Sequence, residues 1–95
     1  MSGANTELTF ALYQTRFCPY CFFVRQALDK MALDIEARDI SVNQEFREEL
    51  MAGGGKTQVP CLRIQQPDGE VQWLYESQDI IQYLQDYESS HSHTA

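Results

Sequence analysis

The chain has few cysteines, few basic residues and no long apolar run. Its 95 residues include three cysteines, and seven lysines and arginines stand against 14 aspartates and glutamates. So few cysteines argue against the disulfide framework of a small secreted domain. The net charge of −7 disfavours nucleic acids and anionic membranes as partners, because both attract positive charge. No apolar run approaches the roughly 20 residues that span a bilayer, so we expect neither a nucleic-acid nor a membrane partner.

The ends of the chain differ in composition from its middle. Residues 1–7 lack both the basic start and the apolar stretch of a secretory signal peptide, which predicts a cytoplasmic, reducing location. We expect residues 1–7 to be flexible and the polar tail, residues 89–95, to be disordered. No basic residue follows Arg63, whereas six acids do: Asp68, Glu70, Glu76, Asp79, Asp86 and Glu88. We interpret this acidic third as a solvated surface, and the alternative is a surface that selects partner proteins.

Apolar periodicity predicts seven elements in one domain over residues 8–88. In chain order these are a strand over 8–13, a helix over 19–33, a strand over 34–40, a helix over 43–52, strands over 60–65 and 71–74, and a helix over 77–88. Asn43 and Ser77 are the predicted N-caps, Gly53-Gly54-Gly55 ends the second helix, and Pro67-Asp68-Gly69 turns the last two strands into a hairpin. The order βαβαββα, with a parallel βαβ half and an antiparallel hairpin in one sheet, predicts an α/β sandwich.

The first predicted helix carries an apolar stripe that starts in its first turn. Helical spacing places five residues on one face: Cys21, Val24, Ala27, Leu28 and Met31. This phase turns Cys21 toward the core and leaves Cys18 at the start of the helix. Phe22 and Phe23 lie off the stripe, so at least one of them is expected to be exposed.

The most informative motif is Cys18-Pro19-Tyr20-Cys21. With Cys18 as the N-cap, Pro19 takes the first helical position, where its missing N–H is no loss. The free N–H groups of Tyr20 and Cys21 and the positive end of the helix dipole favour a thiolate at Cys18, with Arg16 adding positive charge nearby. A thiolate is the nucleophile of thiol–disulfide exchange. Cys21 then stays protonated until it attacks a mixed disulfide on Cys18.

Other roles for two neighbouring cysteines fit the sequence less well. A zinc site needs about four ligands, and beyond the pair the chain offers only Cys61 and two tail histidines, so we expect no metal. Two unreactive core cysteines would not explain Pro19 or the capping position of Cys18. An iron–sulfur cluster shared between chains is a third alternative, which the stiff turn at Pro19 disfavours. Cys61 is interpreted as a small buried hydrophobe.

Two further segments have the chemistry of a binding site. The segment Thr57-Gln58-Val59-Pro60 leads into the predicted strand over 60–65. Pro60 has no N–H to donate, and the first residue of a strand does not need one. If the Val59–Pro60 bond is cis, the backbone of Val59 is free to hold an extended peptide by strand-like hydrogen bonds. At the start of the last helix, the hydroxyl of Ser77 can help to bind a carboxylate, and Glu76 can pair with an ammonium. Together these two groups suit the head of an α-amino acid.

Three motifs follow one another along the chain: Cys18-Pro19-Tyr20-Cys21, Gln58-Val59-Pro60 and Glu76-Ser77. They resemble a dithiol glutaredoxin of the Cys-Pro-Tyr-Cys type, in the thioredoxin-like superfamily, and the resemblance covers residues 8–88. The Gln-Val-Pro and Tyr-Glu-Ser-x-Asp-Ile-Ile segments are also similar to the N-terminal domain of glutathione transferases and to bacterial glutaredoxins built like one. The helical C-terminal domain of those transferases has no counterpart in this sequence, so a transferase proper is not expected.

The resemblance implies a thioredoxin-like sandwich with a four-stranded mixed sheet, three helices and a cis Pro60. It implies that Cys18 is the nucleophile and Cys21 the resolving thiol, with glutathione as cosubstrate and no permanently bound cofactor. The glutathione-binding residues that it implies are Arg16, Tyr20, Gln58, Val59, Pro60, Glu76 and Ser77. In this set Val59 pairs with glutathione through its backbone, and Glu76 and Ser77 hold the γ-glutamyl group.

One position departs from the family. Many glutaredoxins carry a lysine three residues before the first cysteine, which meets the glycine carboxylate of glutathione. Here that residue is Thr15, and Arg16 or the less favoured Lys56 is the substitute.

The expected protein is a monomeric, cytoplasmic, glutathione-dependent thiol–disulfide oxidoreductase. Its expected substrates are disulfide-containing or glutathionylated proteins, and the glutathione reductase system supplies its electrons indirectly. Because Thr15 stands where many glutaredoxins have that lysine, a redoxin that is reduced by a thioredoxin reductase is an alternative. A non-catalytic iron–sulfur or binding module is the third alternative.

Overall fold

The computed structural model describes residues 8–92, apart from residues 32 and 34. In chain order its elements are β1 (Thr9–Gln14), α1 (Pro19–Met31), β2 (Glu36–Asp39), α2 (Gln44–Gly54), β3 (Cys61–Gln65), β4 (Val71–Leu74) and α3 (Ser77–Ser92). The predicted order βαβαββα is confirmed. The predicted flexible residues 1–7 and the last three residues of the predicted tail lie outside the described part of the chain. No helix among the described residues is both long and apolar enough to cross a membrane.

The four strands form one mixed sheet in the order β2-β1-β3-β4. β1 and β2 are parallel, and α1 supplies the crossover between them. β3 is antiparallel to β1 and to β4. The β3–β4 hairpin turns at the predicted Pro67-Asp68-Gly69, where Gly69 has a φ of 96° and Asp68 Oδ1 accepts the Glu70 N–H at 3.0 Å. The thioredoxin-like fold with four strands and three helices is therefore confirmed.

Each face of the sheet carries its own apolar cluster. On one face α1 and α3 pack against the sheet, and the buried members are Leu12, Val24, Leu28, Met31, Leu62, Ile64, Ile80 and Leu84. On the opposite face α2 places Leu50 against Tyr13 and Cys61. The predicted stripe of α1 is confirmed, because Cys21 and Val24 are fully buried. Phe22 and Phe23, off that stripe, are both about half exposed.

The ends of α1 and α2 differ from the sequence prediction. The last residue of α1 is Met31 rather than residue 33. Asn43 caps α2 as predicted, and its Oδ1 accepts the Glu45 N–H at 2.9 Å. The first two residues of the predicted Gly53-Gly54-Gly55 stop are helical, and Gly55 alone ends the helix, with a φ of 89°. A positive φ of this kind is the usual reason for glycine after a helix.

The predicted start of α3 at residue 77 is confirmed, but its predicted cap and its predicted end were wrong. Ser77 is the first helical residue rather than the cap, and the carbonyl of the preceding Glu76 accepts the Ile80 N–H at 2.9 Å. The helix continues past residue 88 to Ser92, so residues 89–92 of the predicted disordered tail are helical. Neither glycine nor proline occurs in this stretch, and the sequence therefore contains no strong stop signal there.

Gly53 and Gly54 provide space for two aromatic side chains. A Cβ at Gly53 would collide with the indole ring of Trp73, and a Cβ at Gly54 would collide with the hydroxyl of Tyr75. The two glycines thus allow the end of α2 to lie directly against the ring of Trp73 in β4 and the ring of Tyr75 just after it. This close approach holds Tyr75 beside the site described next.

Candidate active site

Cys18 lies immediately before α1, in the capping position that the sequence predicts. Its carbonyl accepts the Phe22 N–H at 3.1 Å, and its Sγ accepts the Cys21 N–H at 3.4 Å. Pro19 is the first helical residue, as predicted. The N–H groups in the first turn of a helix lack intrahelical partners and favour negative charge in front of them. The sulfur of Cys18 is in that position.

The Cys18 side chain also meets the loop that precedes β3. Its Sγ lies 3.9 Å from the carbonyl oxygen of Val59, and the Val59–Pro60 peptide bond is cis, as the family resemblance implied. Cys18 is partly exposed. A sulfur atom of a substrate can therefore reach Cys18, which lies beside the Val59 backbone.

Cys21 and Cys61 are both fully buried, and all three cysteines are free thiols. Burial raises the pKa of the Cys21 thiol to about 12; the neighbouring Cys18 adds to the rise, and a backbone hydrogen bond with Thr15 opposes it. Burial likewise raises the pKa of Cys61 to about 12. The prediction that Cys61 is a buried residue is confirmed. At neutral pH the folded chain thus presents one accessible thiol and two that are inaccessible and protonated.

This contrast predicts selective alkylation. Iodoacetamide at pH 7 is expected to modify the native, reduced protein once, at Cys18, and to modify the urea-unfolded protein three times. Because burial raises the pKa of both buried thiols to about 12, both stay protonated at pH 7, and their ionised fraction grows as the pH rises toward that value. Mass spectrometry with peptide mapping measures the outcome. The C18S variant should remain unmodified when native, and labelling of native protein at Cys21 or Cys61 would contradict the prediction.

A cavity of about 190 Å³ opens next to Cys18. It is lined by Tyr20, Gln58, Val59, Pro60, Tyr75, Glu76 and Ser77. The start of α1, the loop before β3 and the start of α3 meet here, although they are far apart in the sequence. Six of the seven residues that the family resemblance implies for glutathione line this one cavity.

Arg16, the seventh of these residues, does not line the cavity. Its Nε lies 3.8 Å from Asp39 Oδ2, and its side chain is 63% exposed. Lys56 is nearer to the cavity, because its Nζ lies 4.7 Å from the ring centre of Tyr75 and its carbonyl accepts the Tyr75 hydroxyl at 3.0 Å. Arg16 therefore lies outside the cavity beside Asp39, whereas Lys56 lies against Tyr75 in the cavity wall.

Tyr75 is the lining residue that sequence reasoning did not single out. It directly precedes Glu76, and it continues the alternation of Val71 and Trp73 along β4 on the α2 side of the sheet. That alternation is a signal that could have identified it. No group of three or more His, Cys, Asp or Glu side chains within the described part of the chain is arranged to hold a metal ion.

The sequence is similar to known proteins along most of its length. The family model for glutaredoxin matches residues 10–68. Prostaglandin E synthase 2 of Danio rerio is 37% identical over 89 residues, which are 94% of this chain and 22% of that protein. A glutaredoxin of Pseudomonas aeruginosa is 34% identical over 53 residues, which are 56% of this chain and 63% of that protein. The chain thus spans about a fifth of the first relative and under two thirds of the second.

The fold is similar to two solved structures of different size. Maleylacetoacetate isomerase from Anaeromyxobacter dehalogenans 2CP-1, with dicarboxyethyl glutathione and citrate bound in its active site, gives a TM-score of 0.66 at 25% identity over 90% of this chain and 40% of its own. Glutaredoxin from Brucella melitensis gives a TM-score of 0.56 at 20% identity over 95% of this chain and 91% of its own. The glutaredoxin match covers more than half of the sequence and includes both Cys18-Pro19-Tyr20-Cys21 and Val59-Pro60, and the chain accordingly belongs to the glutaredoxin family.

Proposed function

We propose that this protein is a dithiol, glutathione-dependent thiol–disulfide oxidoreductase that reduces protein disulfides and protein–glutathione mixed disulfides in a reducing compartment such as the cytoplasm. One observation carries the proposal. The accessible Cys18 sulfur lies at the start of α1 and contacts Val59, and Val59 lines a cavity with Tyr20, Glu76 and Ser77. A nucleophilic sulfur and groups suited to a γ-glutamyl head are therefore neighbours.

In the proposed reaction the Cys18 thiolate attacks the glutathione sulfur of a glutathionylated protein. The bond between the two substrate sulfurs breaks, the protein thiolate leaves and takes up a proton, and Cys18 is left in a mixed disulfide with glutathione. A second glutathione, as its thiolate, attacks the glutathione sulfur of that mixed disulfide. Oxidised glutathione leaves and the Cys18 thiolate is restored, so the disulfide has passed from the protein to glutathione.

The cavity residues have distinct proposed roles in binding glutathione. The backbone of Val59 pairs with the cysteinyl part of glutathione as a short antiparallel strand does, with Gln58 and Pro60 on either side of it. The N–H groups at the start of α3 and the Ser77 hydroxyl receive the γ-glutamyl carboxylate, and Glu76 receives its ammonium. Tyr20, which is 60% exposed, forms a further part of the cavity wall. Dicarboxyethyl glutathione in one structure of maleylacetoacetate isomerase and glutathione in another support glutathione as the ligand class.

The glycine carboxylate of glutathione needs a cation, and two residues compete for the role. Arg16 is separated from the cavity and is close to Asp39, so it would exchange an exposed ion pair for the ligand. Exposed ion pairs contribute little free energy, and that exchange is therefore inexpensive. Lys56 already lies over the ring of Tyr75, which lines the cavity. Both residues therefore remain candidates for binding the glycine carboxylate.

The source of electrons tests the proposal. Oxidised protein mixed with NADPH, glutathione reductase and glutathione is expected to be reduced and to consume NADPH, which absorbance reports. The same mixture without glutathione, and a mixture of NADPH with thioredoxin reductase, are expected to leave it oxidised. Reduction by thioredoxin reductase alone would favour the redoxin alternative that Thr15 keeps open. Failure of both systems would contradict an oxidoreductase function.

A further inference from the structure

A second and larger cavity lies on the α2 side of the sheet. Its volume is about 490 Å³, and its lining residues are Tyr13, Arg38, Glu49, Arg63, Gln65 and Trp73. Cavities of roughly 300–1,000 Å³ are the usual size of small-molecule sites. We call it the Arg63 cavity. None of its lining residues lines the cavity next to Cys18, so it is a separate feature of the surface.

The strand register explains why polar side chains gather there. Arg63 pairs with Ala11 on β1 and with Trp73 on β4, so these three residues share one row across the sheet. Leu50 of α2 packs over the neighbouring row, which contains Tyr13 and Cys61. The row with the small Ala11 has long polar side chains around it, which are Arg38, Glu49, Arg63 and Gln65. This places a charged residue at the centre of a sheet face, where an apolar side chain is the usual choice.

Arg63 is fixed in this cavity without a carboxylate partner. Its guanidinium carbon lies 5.9 Å from the ring centre of Trp73, and its Nη1 donates to Gln65 Oε1 at 3.0 Å. Within the described residues, the ion pairs involve Arg16 and Arg38 but not Arg63. Arg63 is therefore an oriented cation with N–H groups to spare, in a protein whose net charge is −7.

Arg38, the other arginine of the cavity, is already engaged. Its guanidinium pairs with Glu36 at 2.9 Å and with Glu49 at 3.1 Å, and its Nη1 donates to the Tyr13 hydroxyl at 2.8 Å. Tyr13 in turn donates to Glu49 Oε1 at 2.8 Å. Glu49 is the one carboxylate among the lining residues, and it is already hydrogen-bonded to Arg38 and Tyr13. A negative ligand would meet the unmatched charge of Arg63 beside a carboxylate that is already paired.

We infer that the Arg63 cavity binds a small molecule through an oxyanion, a carboxylate or a phosphate, that pairs with the Arg63 guanidinium. Planar guanidinium groups bind both kinds of oxyanion through two parallel N–H donors. Trp73 and Gln65 hold the guanidinium in place before the ligand arrives, which lowers the ordering cost of binding. This site is independent of the thiol chemistry at Cys18.

Trp73 is the single tryptophan of the chain, and its fluorescence therefore reports on this cavity. The reduced protein is titrated with inorganic phosphate and, separately, with succinate, at constant ionic strength held with sodium chloride. We expect a saturable change in fluorescence for at least one probe, and the comparison shows which oxyanion is preferred. R63Q should raise the Kd at least about tenfold, and R63K, which keeps the charge but loses the fork, should fall between R63Q and the native protein.

The matched control is R47Q, which removes the same charge from an exposed position on α2 and should leave the Kd unchanged. Amide chemical shifts of the native protein give a second measurement that needs no variant, and the shifts induced by the probe should centre on Arg63, Gln65 and Trp73. An unsaturable response, an R63Q titration equal to that of the native protein, or shifts centred on Cys18 would overturn the inference.

Discussion

Replacing Cys18 with serine is expected to abolish the reduction of a glutathionylated peptide in the presence of glutathione. Cys18 is the accessible thiol at the start of α1, and a serine hydroxyl is not ionised at neutral pH, so no nucleophile remains to attack the mixed disulfide. The loss should be roughly a thousandfold or more, as for other enzymes that lose their nucleophile. NADPH consumption coupled to glutathione reductase measures the rate.

The matched control is C61A, which removes a cysteine that is fully buried on the α2 side of the sheet. Its specific activity should equal that of the native protein, with thermal unfolding used to verify that both variants are folded. Full activity of C18S would contradict the proposed nucleophile. Loss of activity in a folded C61A variant would show that the active thiol had been misassigned.

Local signals in the sequence predicted most of the fold. Asn43 caps α2, Pro19 begins α1, and Pro67-Asp68-Gly69 turns the hairpin, because each of these effects depends on a few neighbouring residues. The apolar stripe of α1 also followed from spacing alone. The misplaced end of α3 is the opposite case, since a polar run without glycine or proline carries no local signal for or against a further helical turn.

Contacts between distant segments were beyond the reach of local signals. Gly53 and Gly54 leave space for Trp73 and Tyr75, which lie some twenty residues later in the chain. Glycine runs ordinarily indicate a helix end, and nothing local shows that two aromatic rings need the space. The Arg63 cavity is similar, because its walls come from four strands and one helix whose register only the assembled sheet defines.

The candidate site was predictable to a greater extent, for a physical reason. Capping of α1 by Cys18 is a local property, and the cis Val59–Pro60 bond accompanied a recognisable family motif. Their assembly around one cavity with Ser77 required the fold. The sequence did not separate Arg16 from the other implied residues, because only the assembled sheet shows that Arg16 lies beside Asp39 on β2 and not at the cavity.

The second cysteine should matter for one class of substrate and not for another. A protein disulfide presents two sulfurs, and attack by Cys18 releases one as a thiolate while the other stays bound to Cys18. Cys21 must then attack Cys18 Sγ, which breaks the intermolecular bond, releases the second substrate thiol and leaves a Cys18–Cys21 disulfide. Two glutathione molecules reduce that disulfide and leave as oxidised glutathione. A glutathionylated substrate needs no such step, because free glutathione resolves it.

C21S is therefore expected to retain the reduction of a glutathionylated peptide within about a factor of three and to lose the reduction of a protein disulfide by roughly a hundredfold or more. The intermolecular disulfide on Cys18 should accumulate and appear as a covalent complex in non-reducing electrophoresis and mass spectrometry. The Cys21 N–H still reaches Cys18 Sγ in this variant, since a backbone group survives the substitution, and Cys18 keeps its reactivity. Equal loss of both activities would mean that Cys21 is needed for the reactivity of Cys18. Retention of both would mean that free glutathione, and not Cys21, resolves the intermolecular disulfide.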